Sequence, residues 1–339
     1  MLVSVVIPTR NRRDLLQETL ASIVAQTHGD WEAIVVDDGS SDGTAEMVLA
    51  LSENEKRIRL VRRVGSRFGA PAARNQGVTA ARGDYVIFLD SDDLLAPTCL
   101  EKRLEIMESS TSLDFAAFLT QVFQSTPGDH FHLWNKFTEE DDLDRILRRD
   151  PPWQTSGPLW RKTSLTKIGS WNEKALSAQD WEFHLRALAD SLTYRKVPLV
   201  DSFWRMTRPD SVSYHWKEKR RICNRVNLLK KITALLHAKN LLTSRRRRII
   251  AAEYYEHAFV FNPNMRLAHK IWRRARKEKI IGRIEFAVVL LSDLYLRISR
   301  RANDFVVAAM IPEVRCKRDF FGALPPEAKT SRLKRDPSR

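Results

Sequence analysis

Apolar residues in the first 95 positions fall into short runs that switch between two periods. Val3 to Ile7, Ala33 to Val36 and Tyr85 to Leu89 are rich in β-branched or aromatic residues, and Arg57 to Val61 continues the series, so each predicts a strand. Between them Leu15, Leu16, Leu20, Ile23 and Val24 recur at helical spacing, and Ala72 to Ala81 reads as a helix of small residues. This alternation predicts an α/β fold, with a mostly parallel sheet flanked by helices. In such sheets ligands bind beyond the carboxyl ends of the strands. Three predicted strands end in polar clusters, Pro8-Thr9-Arg10-Asn11, Asp37-Asp38-Gly39-Ser40 and Asp90-Ser91-Asp92-Asp93, which are expected to meet in one crevice.

After a helix near Thr98 to Glu108 the pattern becomes mixed. A strand is expected near Phe115 to Val122, then an irregular polar stretch to Pro152, then strands at Leu159 to Trp160, Tyr194 to Val197 and Ser202 to Arg205. Ala178 to Ala189 reads as a helix. Beyond Tyr214 the chain reads as basic amphipathic helices, with one stripe of Ile222, Val226, Leu229, Ile232 and Leu236 and another of Ala287, Leu290, Leu291, Leu294 and Ile298. Residues 325–339, rich in Pro, Lys, Arg and Ser, are expected to be disordered.

Charge sharpens this division. The net charge of +15 is the sum of −5 over residues 1–215 and +20 over residues 216–339. The basic part suggests a polyanionic partner, nucleic acid or an anionic lipid surface. No nucleic-acid recognition motif accompanies the charge, so nucleic acid is not expected. Arg245 to Arg248, with Arg273, Arg274, Arg276, Lys277 and Lys279, fit either a membrane-facing surface or a solvated helix face. The three cysteines, Cys99, Cys223 and Cys316, are far apart and suggest neither a disulfide framework nor a zinc site. The N-terminus reads as a buried strand rather than a signal peptide, and the apolar runs are shorter than the ~20 residues of a spanning helix. A cytoplasmic protein, peripheral on the inner membrane face, is expected.

Two strand ends carry the candidate chemistry. In Phe88 to Asp93 a buried strand opens into three carboxylates within four residues. Hard carboxylate oxygens suit Mg2+ or Mn2+ on a diphosphate, although a solvated acidic turn or a helix cap has the same composition. In Ile34 to Thr44 (IVVDDGSSDGT), Gly39 and Gly43 permit tight turns, Ser41 or Asp42 is suited to capping the next helix, and Asp38 is suited to accepting a hydrogen bond from a base. A plain strand-to-helix turn is the alternative. The glycines form neither of the usual dinucleotide or P-loop spacings.

VVIPTRNRRDLL (Val5 to Leu16), IVVDDGSSDGT (Ile34 to Thr44) and APAARNQGVTAARGDYVIFLDSDD (Ala70 to Asp93) resemble, in order and spacing, the successive signatures of glycosyltransferase family 2. The resemblance covers roughly residues 1–215. It implies the GT-A fold and an inverting, metal-dependent transfer of a sugar from a UDP-, dTDP- or GDP-sugar to an acceptor hydroxyl on a glycan or lipid-linked glycan. The implied organisation is a catalytic domain at 1–215, with a nucleotide-binding half at 1–95 and an acceptor half at 96–215, then a basic helical region at 216–324 and the tail at 325–339. By resemblance, Pro8, Thr9 and Arg10 line the nucleotide pocket, Asp38 binds the base edge, and Arg74 supports the base or ribose. Asp90 contacts the ribose, Asp92 holds the metal, and Asp93 either touches the donor or caps the next helix.

The family's general base belongs to a later Glu-Asp motif. SAQDWEFHLRALA (Ser177 to Ala189) matches that segment, with Gln179 in the place of Glu and Asp180 as the base. An acidic residue favoured by the start of a helix is the plainer reading of Asp180. His184, one turn later, either orients the base or is simply packed, and Arg205 is either a diphosphate contact or a surface charge. His215 is a candidate for completing the metal site or touching a phosphate. A sugar-nucleotide-forming nucleotidyltransferase lacks support because Pro8-Thr9-Arg10-Asn11 has no glycine. A noncatalytic carbohydrate- or membrane-binding relative is the remaining alternative, and the retention of Asp38, Asp90, Asp92 and Asp180 argues against it.

Overall fold

The computed structural model describes residues 1–65, 69–206, 218–262 and 264–296, with a two-residue strand at 322–323. The first half alternates β1 (Val3–Thr9), α1 (Arg13–Val24), β2 (Trp31–Asp37), α2 (Thr44–Asn54), β3 (Ile58–Arg62), α3 (Ala70–Ala80) and β4 (Tyr85–Phe88). Next come β5 (Leu94–Leu95), α4 (Cys99–Glu108), β6 (Phe115–Phe123), β7 (His132–Leu133), α5 (Asp142–Leu147), β8 (Pro158–Arg161), α6 (Lys162–Ile168), α7 (Gln179–Ala189) and β9 (Tyr194–Arg205). The helical part comprises α8 (Lys219–Ala238), α9 (Ser244–Tyr255) with a π-helical turn at Glu256–Val260, α10 (Met265–Lys277) and α11 (Arg283–Leu296).

Strands β3, β2, β1 and β4 are parallel neighbours, as the alternation predicts. β8 and β6 extend the sheet with antiparallel pairs, and β9 runs parallel to β6. β1, β2 and β4 are buried along their whole length because both faces of the sheet are covered. Val3, Val5 and Ile7 point into the cluster under α1 and α4, while Val6 faces the opposite cluster with Ala73, Trp160, Trp171 and Phe183. Gly77 lets α3 settle on that second face, since a Cβ there would overlap Val6 Cγ1.

Three details differ from the sequence reading. The two strands expected at Tyr194 to Val197 and Ser202 to Arg205 are one strand, whose pairing with β6 shifts register around Phe118 to Thr120 and so absorbs Pro198. Within the expected irregular stretch, Asp141 accepts a 2.8 Å hydrogen bond from Asp144 N and caps α5. Asp93 is followed by β5 and not by a helix, so it caps none.

The basic helices share the core of the sheet. Ile222, Val226, Leu229, Ile232, Leu236 and Trp272 belong to the same buried cluster as Val6, Phe88, Trp153 and Phe183. Their rim is held by charge. Arg245 pairs with Glu140 at 2.6 Å and Asp144 at 3.0 Å, Arg246 pairs with Asp144 at 2.7 Å, and Arg149 pairs with Glu253 at 2.8 Å and with Glu256. Half of the four-arginine run is therefore engaged with the acidic α5 region. Among the described residues no helix is long and apolar enough to cross a membrane. Ile298 and the 325–339 tail lie outside the described residues.

Candidate active site

The loops after β1 and β2 are laced together. Asn11, with φ of 52°, accepts a 2.8 Å hydrogen bond from Ser41 N and donates its own N–H to Ser40 Oγ at 2.9 Å. Arg13 N donates to Asp42 Oδ2 at 3.2 Å, and Thr44 N donates to Asp42 Oδ1 at 3.0 Å, so Asp42 braces the start of α2, while the N-cap position is taken by Gly43 and not by the expected Ser41 or Asp42. Asp37 is used internally, accepting from Ser40 N at 3.1 Å. Asp38 is buried at the crevice floor. Its carboxylate pairs with Arg63 and accepts a 2.7 Å hydrogen bond from Gly69 N. Pro8 and Thr9 end β1 beside it and Arg10 is exposed above them. The buried Thr9 Oγ1 has no hydrogen-bond partner among the described residues. A nucleotide is suited to satisfying that atom.

At the end of β4 the three carboxylates take different environments. Asp90 is half-buried and receives a 2.6 Å charge-assisted bond from Arg74 Nη2. Asp92 is half-buried, and its carboxyl is pushed up to about 6 by burial and by the Asp90 charge, with Arg12 and Arg205 acting in the opposite sense. Asp93 is fully buried, and burial with its two acidic neighbours raises its pKa well above the usual range. Its oxygens accept from Arg205 N at 3.1 Å and from Gln154 Nε2 at 3.2 Å, so it joins three distant chain segments behind the site. Two crowded hard-oxygen carboxylates on one turn fit a divalent cation. Among the described residues no three His, Cys, Asp or Glu side chains gather as a complete ligand set, so diphosphate oxygens would be needed to fill the shell. His215 lies outside the described residues.

Arg74 spans the crevice. Besides Asp90, its guanidinium donates to Gln179 Oε1 at 3.3 Å and lies 4.5 Å from the centroid of Trp171, which in turn stacks on Phe183 at 4.1 Å. Gln179 opens α7, preceded by Ala178 in the left-handed region, and Asp180 occupies the first turn. One side chain thus ties the Asp-x-Asp turn to Gln179, the neighbour of the base candidate Asp180. His184 is buried in the aromatic layer beside Trp160 and Trp153, and burial pushes its pKa down to about 4. Arg205 is less open than its sequence position suggested. It donates to the Asp92 carbonyl at 3.0 Å, pairs with Glu18 at 2.6 Å and packs on Phe123.

Sequence reading missed Arg63, Gln154, Trp171 and Glu18. Arg63 lies two residues past the predicted strand Arg57 to Val61, which is a usable signal; the other three act through tertiary contacts that leave no local pattern.

With the polar strand ends, the Asp-x-Asp turn and the Asp180 helix in one crevice, comparison with known proteins becomes decisive. The profile described as "Glycosyl transferase family 2" matches residues 4–164. Residues 4–164 belong to glycosyltransferase family 2. Over 148 residues the chain is 40% identical to the putative teichuronic acid biosynthesis glycosyltransferase TuaG of Bacillus subtilis, covering 43% of this chain and 58% of that protein. The chain therefore spans little more than half the length of that relative. It is 29% identical over 246 residues to the uncharacterized glycosyltransferase MJ1057 of Methanocaldococcus jannaschii, covering 66% and 83% of the two chains. The family's GT-A fold is matched by S. aureus TarS 1-349 in complex with UDP-GlcNAc, at a TM-score of 0.64 and 17% identity over 93% of this chain and 90% of that one. The mannosyltransferase PcManGT of Pyrobaculum calidifontis, in complex with GDP-Man and Mn2+, aligns with a TM-score of 0.53 and 19% identity over 93% and 88%.

Proposed function

We propose that the chain transfers a sugar with inversion from a nucleoside diphosphate sugar, a UDP-sugar by preference, to a hydroxyl of a glycan or lipid-linked glycan. The observation that carries this reading is the Arg74 bridge, which links Asp90 of the Asp-x-Asp turn to Gln179 beside Asp180. The TuaG name, the UDP-GlcNAc in TarS and the Mn2+ in PcManGT support the reading. The base lies at Asp38 with Pro8, Thr9 and Arg10 around it, and the ribose lies at Asp90. Asp92 holds Mn2+ or Mg2+, which when bound neutralises charge on the departing diphosphate. Arg205, already at the Asp92 carbonyl, faces the diphosphate from the other side of the turn. The acceptor oxygen attacks the anomeric carbon as the carbon–oxygen bond to the diphosphate breaks. Asp180 takes the acceptor proton, and the nucleoside diphosphate leaves. Acceptors reside at the cytoplasmic face of an anionic membrane.

Replacement of Asp92 by Ala abolishes the Mn2+-dependent part of UDP binding in calorimetry; equal affinity with and without Mn2+ in both proteins refutes the metal assignment. Asp180→Asn lowers kcat by about 100-fold or more with donor affinity kept, the scale of a lost general base. A variant that retains full kcat removes Asp180 from the mechanism.

A further inference from the structure

We propose that the outward faces of α10 and α11 form a docking surface for an anionic phospholipid bilayer. The proposal rests on the placement of acceptors at a membrane and assigns the contact to particular residues. The run Arg245 to Arg248 is a poor candidate because Arg245 and Arg246 are paired with Glu140, Asp141 and Asp144. On α10, by contrast, Arg266, Lys270, Arg273 and Lys277 are all exposed and recur at intervals of four, three and four residues, which places them on one stripe. None of the four makes an ion pair among the described residues, whereas Lys230 and Arg274, nearer the core, share Glu278. The opposite side of α10 is buried through Ala268, Ile271, Trp272 and Ala275, so the basic stripe faces away from the protein.

The next helix supplies the apolar component. α11 carries Ile284, 74% exposed, and Leu291, 63% exposed, two turns apart, with exposed Ala287 between them on the same face. Two large aliphatic side chains exposed on one helix face supply the apolar side that an interfacial helix needs. The helices pack together, with Trp272 Nε1 donating to Phe286 O at 3.3 Å. Between α8 and α10 a groove of about 570 Å3 has Val226, Leu267 and Ile271 at its floor and Lys270 and Lys277 at its rim. Exposed cations on one helix and exposed aliphatic side chains on the helix packed against it match the phosphate and acyl boundary of a bilayer, where each basic residue adds attraction and the aliphatic side chains enter the interface. A soluble polyanion uses only the cations, and a second copy of the chain only the aliphatic stripe.

The test is co-sedimentation of the full chain with phosphatidylcholine vesicles with and without phosphatidylglycerol. The wild type pellets with the anionic vesicles. The triple variant Lys270→Glu, Arg273→Glu, Lys277→Glu loses about tenfold or more in apparent affinity. The double variant Ile284→Ser, Leu291→Ser also loses binding, and what it retains is abolished by salt. All these positions are on the surface, so circular dichroism and the thermal midpoint stay at wild-type values. Binding unchanged in both variants overturns the proposal. So does a wild type that binds soluble polyphosphate but not vesicles, or one that self-associates through Ile284 and Leu291 without vesicle binding. A UDP and Mn2+ thermal shift on the same proteins separates the two readings. Its absence sinks the donor site alone, and its persistence in variants that no longer pellet locates the loss in the docking face.

Discussion

At the scale of single residues, the site joins groups whose environments differ sharply within a few ångströms. Arg74 is the clearest case, being buried, stacked on Trp171 and bonded both to Asp90 and to Gln179. Arg74→Ala leaves Asp90 without its partner, and we expect UDP affinity and kcat to fall together; Arg74→Lys keeps the charge but not the two-sided geometry, so kcat stays depressed. His184 provides a pH signature of a different kind. Folded, it is held neutral with a pKa pushed down to about 4; unfolded, it takes a proton near its ordinary value of 6.5. Below pH 6.5 the unfolded chain therefore binds the extra proton, and stability falls as pH drops toward 4. The loss for this one group is about 2 kcal/mol by pH 5. Thermal midpoints at pH 7.5 and 5 show a smaller drop in His184→Phe than in the wild type, unless the histidine is charged in the fold. Asp38, Asp90 and Asp92 were legible as candidates because each lies in a short polar burst after a strand, whereas Arg74, inside α3, was singled out only by the family resemblance. Gln154 and Trp171 were not, since their roles depend on segments more than 60 positions away in the chain.

At the scale of elements, the first half of the fold was read almost strand by strand, because strands covered on both faces leave unbroken apolar runs. The second half was harder. In β9 the polar and apolar residues follow no steady alternation, owing to the register shift against β6, and α5 is only six residues long and acidic. Helix α3 makes an element-scale prediction. Its seat on β1 depends on Gly77, so Gly77→Ala forces the helix off Val6 and costs about 1–3 kcal/mol of stability, seen as a lower thermal midpoint. An unchanged midpoint would mean that α3 is free to shift outward. Because Arg74 lies on the same helix, the variant also weakens UDP binding.

Across the whole molecule, the change in charge sign near residue 215 marks a boundary in composition that packing does not respect. Ile222, Val226 and Leu229 complete the cluster that holds Trp153, Trp160 and Phe183 of α7. Truncation after residue 215 uncovers these side chains and is expected to give an aggregating or molten protein by circular dichroism and dye binding, rather than a smaller active domain. A soluble, cooperative fragment would show that the sheet needs no helical cover. The buried junction at Asp93 matters for anyone who recombines this chain with a relative. One carboxylate fastens Gln154 and the backbone of Arg205 to the strand that ends in Asp90 and Asp92. A crossover between positions 93 and 154, or between 154 and 205, separates partners that must be inherited together. Segments transplanted from a relative are thus expected to function only when they bring their own matching amide and main-chain tie, which makes residues 93, 154 and 205 a compatibility check before any chimera is built.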